Sequence, residues 1–149
     1  MPEDLPQLFT ARIATAETRL KTVTEVYACQ SYREGGWTRK QALGHLLDSA
    51  AHNEQRFVRA ALYGRYDCPS YEQEPWVTIH GYAEMSWDEL FTAWQSRNAI
   101  LARIVRRIDQ ERLQAPITLG GRPAQTLEWV ILDYLRHLDQ HVAQIVGAS

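Results

Sequence analysis

Apolar residues recur every three or four positions in four stretches of the chain, the spacing of one buried face of an α-helix. The stretches cover about residues 5–29, 38–63, 86–108 and 126–146. The last is the most regular. It carries the apolar positions Leu127, Val130, Ile131, Tyr134, Leu135, Leu138, Val142 and Ile145. The pattern therefore predicts four amphipathic helices that can share one core.

Residues typical of helix ends stand at the borders of these stretches. Hydroxyl residues suited to cap a first turn occur at three predicted starts: Thr38, Ser86 and Thr126. The first two are followed three positions later by Gln or Glu, the pattern of a capping box. Glycine follows two predicted ends, at Gly64 and Gly147. These local signals place the helix borders independently of the apolar period.

The segments between the predicted helices lack the strict alternation of β-strands. Residues 64–84 contain two prolines, two glycines and several aromatic side chains. We interpret them as a long ordered crossover loop, which either serves function or merely connects two parallel helices. Residues 117–123 include two glycines and are interpreted as a turn. Together these features predict an all-α protein, a four-helix bundle with one long crossover, forming a single domain over residues 1–149.

Composition excludes several classes of protein. The chain has 149 residues, 45% of them hydrophobic, and a net charge of -2, so it can bury a core and has no basic field to attract nucleic acid or an anionic membrane. No apolar run approaches the roughly 20 residues of a membrane span. Two cysteines are too few for a disulfide framework. The N-terminus lacks the features of a signal peptide, so we expect a cytoplasmic protein.

The strongest chemical signal is a histidine pair in the last predicted helix. His137 and His141 are four residues apart, so their imidazoles lie one turn apart on the same face, at the edge of the apolar stripe. Asp133 lies one turn earlier on that face. Such a pair either binds a metal or is packed and hydrogen-bonded in the core, and its spacing alone does not distinguish between these two roles.

A third ligand would decide between them, and the second predicted helix offers two histidines. His45 lies beside core positions at the rim of the apolar face, whereas His52 lies in a polar run that indicates solvent exposure. Periodicity favours His45 without excluding His52, and His80 in the crossover is a weaker candidate. Three histidine nitrogens with one open position are typical of a catalytic zinc site. Neutral imidazole also suits nickel, copper and iron.

At this point the chain resembles the DinB/YfiT-like superfamily. The resemblance rests on Trp37 opening a helix, on the run Gly-His-Leu-Leu-Asp around His45, and on His137-Leu-Asp-Gln-His141 in the last helix. It covers nearly the whole chain. It implies a four-helix bundle that commonly forms a homodimer. It also implies a divalent metal bound by His45, His137 and His141, with zinc or nickel expected first and iron, manganese or copper as alternatives.

The resemblance implies reaction type only loosely, because relatives include metal-dependent thiol transferases and a thiol-dependent isomerase. We expect a small electrophilic substrate, attacked either by a low-molecular-weight thiol held as thiolate on the metal or by metal-activated water. Asp133 and Asp48 are candidates to orient the ligand imidazoles, and Trp76, Tyr82 and Trp129 are candidates to wall the pocket. The alternatives are a bundle that binds a small ligand or metal without turnover, and one that serves dimerisation.

Overall fold

The computed structural model describes residues 4–147. Its α-helices are α1 (Leu5–Leu20), α2 (Glu25–Ala28), α3 (Arg39–Tyr63), α4 (Gln73–His80), α5 (Trp87–Arg107) and α6 (Leu127–Val146). Its strands are β1 (Tyr66–Cys68), β2 (Pro116–Leu119) and β3 (Gln125–Thr126). Short 3-10 helices cover Tyr82–Glu84 and Gln110–Gln114.

The four long helices form the predicted bundle. Both α1 and α3 pack against α5 and α6, so α1 and α3 occupy opposite corners. The core between them is large and apolar. Its fully buried side chains include Phe9, Leu43, Phe57, Leu90, Trp94, Leu101, Ile131 and Leu135. Among residues 4–147, none of the helices combines the length and the apolar character needed to cross a bilayer.

The predicted hydroxyl caps at Thr38, Ser86 and Thr126 are confirmed, but of the two predicted capping boxes only the one at Thr38 is complete. The Thr38 hydroxyl accepts a hydrogen bond from the Gln41 backbone amide at 3.2 Å, and the Gln41 side chain accepts one from the Thr38 amide at 2.9 Å. Together they complete the capping box of α3. Thr126 caps α6 in the same way, through the Trp129 amide at 3.0 Å. Because these local caps fix where each helix begins, they help to determine on which side of its helix each histidine lies.

The prediction of one continuous first helix, from about Leu5 to Cys29, is wrong in its last third. α1 ends at Leu20, and the separate four-residue helix α2 begins after Thr24. The Thr22 hydroxyl donates to the Arg19 carbonyl at 2.7 Å, and the Thr24 hydroxyl accepts from the Tyr27 amide at 3.2 Å. These side-chain hydrogen bonds compete with helical backbone bonds and allow the chain to turn.

The predicted crossover over residues 64–84 connects the second and third long helices as expected, but it is not a loop throughout, because it contains β1, α4 and a 3-10 helix. β1 pairs in parallel with β2, with Tyr66 opposite Ile117, and β2 pairs antiparallel with β3. The predicted turn over residues 117–123 therefore begins as a strand. This three-stranded sheet lies at one end of the bundle, so the bundle prediction stands but the absence of strands does not.

One buried arginine joins the start of α3 to the end of α6. Arg39 donates from Nε to the Ile145 carbonyl at 2.7 Å, and its guanidinium also reaches the Tyr27 hydroxyl at 2.7 Å. The contact shows that the two helices run antiparallel and fixes their offset. Because of that offset, the first third of α3 lies beside the second half of α6, where the histidine pair is found.

Candidate metal centre

Three histidines converge between α3 and α6. His45 on α3 and His137 and His141 on α6 each present a nitrogen, and these three atoms all lie within 4.8 Å of one another. The Nε2 atoms of His45 and His137 are 3.4 Å apart. Ring centroids are 5.2 Å apart for His45 and His137, 4.9 Å for His45 and His141 and 4.4 Å for His137 and His141. The structure thus brings together the three histidines singled out from the sequence.

Burial keeps these imidazoles neutral. Burial, with smaller contributions from the charges of His141 and His137, lowers the pKa of His45 to about 3. It lowers the pKa of His141 to about 4, again with a contribution from His137. Burial also lowers the pKa of His137, against the attraction of Asp133. At neutral pH all three rings therefore carry a free lone pair, the form in which histidine binds a metal.

The donor set fits a divalent metal. Two nitrogens about 2.1 Å from a zinc ion at the tetrahedral angle are about 3.4 Å apart, which is the separation of the His45 and His137 Nε2 atoms. The Nδ1 atoms of His45 and His141 are buried and have no hydrogen-bond partner among the described residues. Across residues 4–147, no fourth His, Cys, Asp or Glu joins the group. A metal held here would keep a coordination position free.

Two cavities flank the centre. One of about 370 Å³ is bounded by His141 on one side, and one of about 330 Å³ is bounded by His137 on the other. Gln73, at the start of α4, lines both cavities. Two of the three histidines of the centre thus each line a cavity, and α4 contributes to the walls of both cavities.

The cavity beside His141 is walled by the loop before α3 and by α4. Its lining residues are Tyr32, Arg33, Gly35, Gly36, Trp37, Gln73, Glu74, His141 and Gln144. Trp37 packs on His45, with ring centroids 5.1 Å apart, and donates from Nε1 to Glu74 Oε2 at 3.1 Å. The Glu74 carboxylate thus lies in the wall of this cavity, held by the same tryptophan that contacts a histidine of the centre.

Asp48 takes a position that its sequence neighbours do not reveal. Its side chain is 3% exposed, and its Oδ1 accepts a hydrogen bond from the Tyr82 hydroxyl at 2.6 Å. Tyr82 packs directly against Gly44, where an added Cβ would lie 2.0 Å from the tyrosine ring. The second oxygen of Asp48 has no partner among the described residues. The expected hydrogen bond from Asp48 to a histidine of the centre is not present, and Asp48 instead anchors the segment after α4.

Asp133 differs from its expected role in a similar way. Its Oδ1 accepts two hydrogen bonds from Arg136, at 2.9 and 2.7 Å. Its negative charge still acts on His137, since it raises the pKa of that imidazole against the effect of burial. Asp133 therefore influences the centre through space, while its hydrogen bonds serve a surface ion pair.

The remaining histidines lie outside the centre. His52 stacks on Tyr71, with centroids 3.7 Å apart, and its Nδ1 contacts the Asp48 carbonyl oxygen at 2.8 Å. It is therefore partly buried and packed, contrary to the solvent exposure expected from its polar run. His80 stacks on Tyr82 at 4.8 Å. The three aromatic residues expected to line a pocket do not line either cavity beside the centre; they are Trp76, Tyr82 and Trp129.

Sequence reasoning identified the histidines and Asp133 but missed several other polar residues of the two cavities. Gln73 and Glu74 lie in the segment predicted to be a loop, so the helix that presents them was not anticipated. Arg56, on the face of α3 next to the centre, and Arg122, in the turn between β2 and β3, carry no motif. Only the contact of residues far apart in sequence identifies these four side chains as neighbours of the histidines.

Known proteins share the fold of this chain. No curated protein matches the chain. Among solved structures, it is similar to YfiT from Bacillus subtilis, described as a probable metal-dependent hydrolase with an unusual four-helix bundle topology. The identity is 18% and the TM-score 0.85, over 99% of this chain and 87% of YfiT.

It is also similar to a mycothiol-dependent maleylpyruvate isomerase, at 15% identity and a TM-score of 0.76. That match covers 95% of this chain but only 57% of the isomerase. At such identities both likenesses show a shared fold. The model of the DinB superfamily matches residues 8–145. The chain thus belongs to the DinB superfamily.

Proposed function

We propose that this protein is a metal-dependent enzyme that acts on a small electrophilic substrate, either by transferring a thiol to it or by hydrolysing it. The observation that carries the proposal is the convergence of three neutral histidine nitrogens, one from a buried and two from half-buried residues, beside two cavities. No fourth protein ligand joins them among residues 4–147. Structural zinc sites are closed by four protein ligands, whereas catalytic sites keep one position for substrate or solvent.

In this proposal His45, His137 and His141 hold the metal, with zinc or nickel expected first and iron, manganese or copper as alternatives. When bound, the metal would supply Lewis-acid activation of the attacking thiol or water, or of the substrate. Two relatives of the same fold support these reaction types. YfiT is described as a probable metal-dependent hydrolase, and the isomerase is described as dependent on mycothiol.

The chain's own residues suggest how protons and ligands are held. Glu74 lies in the cavity beside His141, with one oxygen fixed by Trp37, and is the proposed acceptor of a proton from a nucleophile in that cavity. Asp48 Oδ2 and His45 Nδ1 are both buried, and neither has a hydrogen-bond partner among the described residues. The role proposed for Asp48 is to hold the segment after α4 against α3, through its hydrogen bond from the Tyr82 hydroxyl.

The test begins with metal analysis of protein purified without an affinity tag or chelator. About one divalent metal per chain is expected in the parent. Little is expected in His137→Ala, and the full amount in His52→Ala, whose histidine lies outside the cluster. Parent-like metal content in His137→Ala would show that the centre is not the binding site.

The second step is a panel of small electrophiles with and without a low-molecular-weight thiol, beside a panel of simple esters and amides. Turnover that needs both the metal and Glu74 supports an enzyme, and the thiol requirement separates transfer from hydrolysis. A fully loaded protein that turns over no member of either panel would favour the alternative of a bundle that binds metal without catalysis.

A further inference from the structure

The cavity beside His137 has an unusual distribution of charge. It lies between α3, the start of α4, the turn after β2 and α6, with a volume of about 330 Å³. Its lining residues are Ser49, Asn53, Arg56, Tyr71, Gln73, Arg122, Val130, Asp133, Tyr134 and His137. Two of them are arginines and only one is acidic. The acidic residue, Asp133, already accepts both of its close hydrogen bonds from Arg136.

Neither arginine has an acidic partner among the described residues. Arg56 donates from Nε to the Cys68 sulfur and from Nη1 to Asn53 Oδ1, each at 3.4 Å, and neither acceptor is an acid. No carboxylate of residues 4–147 lies within ion-pair distance of Arg56 or Arg122. The guanidinium of Arg56 therefore lines the cavity without a carboxylate beside it.

Hydrogen bonds and packing hold several of the other polar side chains of the cavity in place. Asn53 is 5% exposed and donates from Nδ2 to the Ser49 carbonyl at 2.8 Å, and its amide also lies 3.4 Å from the Ser49 hydroxyl oxygen. The Ser49 hydroxyl accepts that contact and retains its own proton to donate. Burial raises the pKa of Tyr71, so its phenol stays protonated, and the ring is fixed by stacking on His52.

We propose that this cavity is a carboxylate-binding subsite, in which Arg56 and Arg122 hold the anionic end of a small carboxylic acid substrate. Guanidinium groups match a carboxylate with two parallel hydrogen bonds, and such charge-assisted bonds are the stronger class. Ser49 and Tyr71 add neutral donors. Because the same cavity is bounded by His137, a molecule anchored at the arginines extends towards the three-histidine centre.

This inference rests on the proposed function for the part of the substrate that reacts at the metal. The binding of its carboxylate is argued from the cavity alone. A volume of about 330 Å³ is at the low end for small-molecule sites, which favours a compact acid over a large cofactor. The substrate class is thereby narrowed to small electrophiles that carry a carboxylate a few bonds from the reacting carbon.

The experiment measures binding of butanoate, of its neutral isostere butanamide and of methyl phosphate, by calorimetry and by amide chemical shifts. Each titration uses chelator-treated protein and zinc-loaded protein. The parent should prefer butanoate over both other probes in both forms. Arg56→Gln should weaken butanoate binding roughly tenfold, and exposed Arg122→Gln by roughly three- to tenfold, because each removes a charged donor. Arg56→Lys should fall between the parent and Arg56→Gln, since it keeps the charge but loses the fork.

Arg65→Gln is the matched control, since it removes the same charge from an exposed arginine that pairs with Asp67 and lines neither cavity beside the centre. It should bind butanoate as the parent does. Circular dichroism checks that each variant is folded, and Arg122, in an exposed turn, provides a substitution that leaves the core intact.

The proposal is overturned if the parent binds butanamide as well as butanoate, or prefers methyl phosphate, or if neither arginine variant weakens butanoate binding. Failure of the proposed function would look different. A protein that binds no metal, yet shows the arginine-dependent preference for butanoate in its chelator-treated form, keeps the subsite and loses the metal centre. A protein that binds zinc but shows no preference for butanoate keeps the metal centre and loses the subsite.

Discussion

Acid is expected to destabilise the metal-free protein, with His45 making a measurable share of the effect. Burial lowers the pKa of this imidazole to about 3 in the folded state, while an unfolded histidine titrates near 6.5. Between these values the unfolded chain binds a proton that the folded protein does not. The free energy of unfolding therefore falls as the pH is lowered from about 6.5 towards the folded pKa, and the contribution is fully present above the unfolded value.

The magnitude follows from the two pKa values. At about pH 5, protonation of His45 in the unfolded chain should reduce the free energy of unfolding by about 2 kcal/mol relative to about pH 7.5. His137 and His141 act in the same direction, but they are partly exposed, so solvent screens their contributions. Asp48 acts in the opposite direction, because burial raises its pKa and the folded state gains its proton first.

These overlapping effects are separated by comparing the parent with His45→Gln. Both proteins are stripped of metal, because a bound ion would hold the imidazoles unprotonated. Urea unfolding is followed by helical circular dichroism at about pH 7.5 and about pH 5. The parent should lose about 2 kcal/mol more than the variant between the two conditions. Equal losses in the two proteins would refute the reasoning, because they would show that His45 is protonated as easily in the fold as in the unfolded chain.

Three further outcomes are expected. His141→Ala should lose most metal affinity by metal analysis yet keep its helical dichroism, whereas Leu138→Ala, at 1% exposure, should lose roughly 2–5 kcal/mol of stability and retain metal while folded. Unfolding of His141→Ala would indicate a structural site. Gly44→Ala should lower the melting temperature, at a cost of about 1–3 kcal/mol, because its methyl group would displace the Tyr82 ring; an unchanged melt would contradict that packing. Light scattering at micromolar concentration should show a homodimer, and a monomer would contradict the family resemblance.

The helices themselves were within reach of the sequence, because their signals are local. Thr38 and Gln41 satisfy each other's backbone groups within one turn, and Gly64 ends the same helix with a φ of +80° that other residues rarely adopt. The four-residue spacing of His137 and His141 needs only the geometry of a single helix. None of these features depends on contacts with a distant part of the chain, so four helices and a paired-histidine face could be predicted.

The small sheet and the residues that line the cavities depend on contacts between distant parts of the chain. β1 is three residues long and pairs with a strand about fifty residues later, so neither strand has enough alternation to be recognised alone. Arg56 and Arg122 likewise become neighbours only when that pairing brings the turn after β2 to α3. Short strands and cavity linings depend on contacts across the fold, which apolar periodicity does not encode.

The choice between His45 and His52 shows where local information ends. The two residues are seven positions apart on α3, so they point in similar directions but lie about 10 Å apart along the helix axis. Periodicity favoured His45 but could not exclude His52, because it gives the direction of a side chain around the helix and not its position along the helix axis. The contact of Arg39 with the Ile145 carbonyl fixes the height of α3 against α6 and brings His45 level with His137 and His141. The sequence by itself determined which faces carry imidazoles, and the packing of two antiparallel helices determined which imidazoles meet.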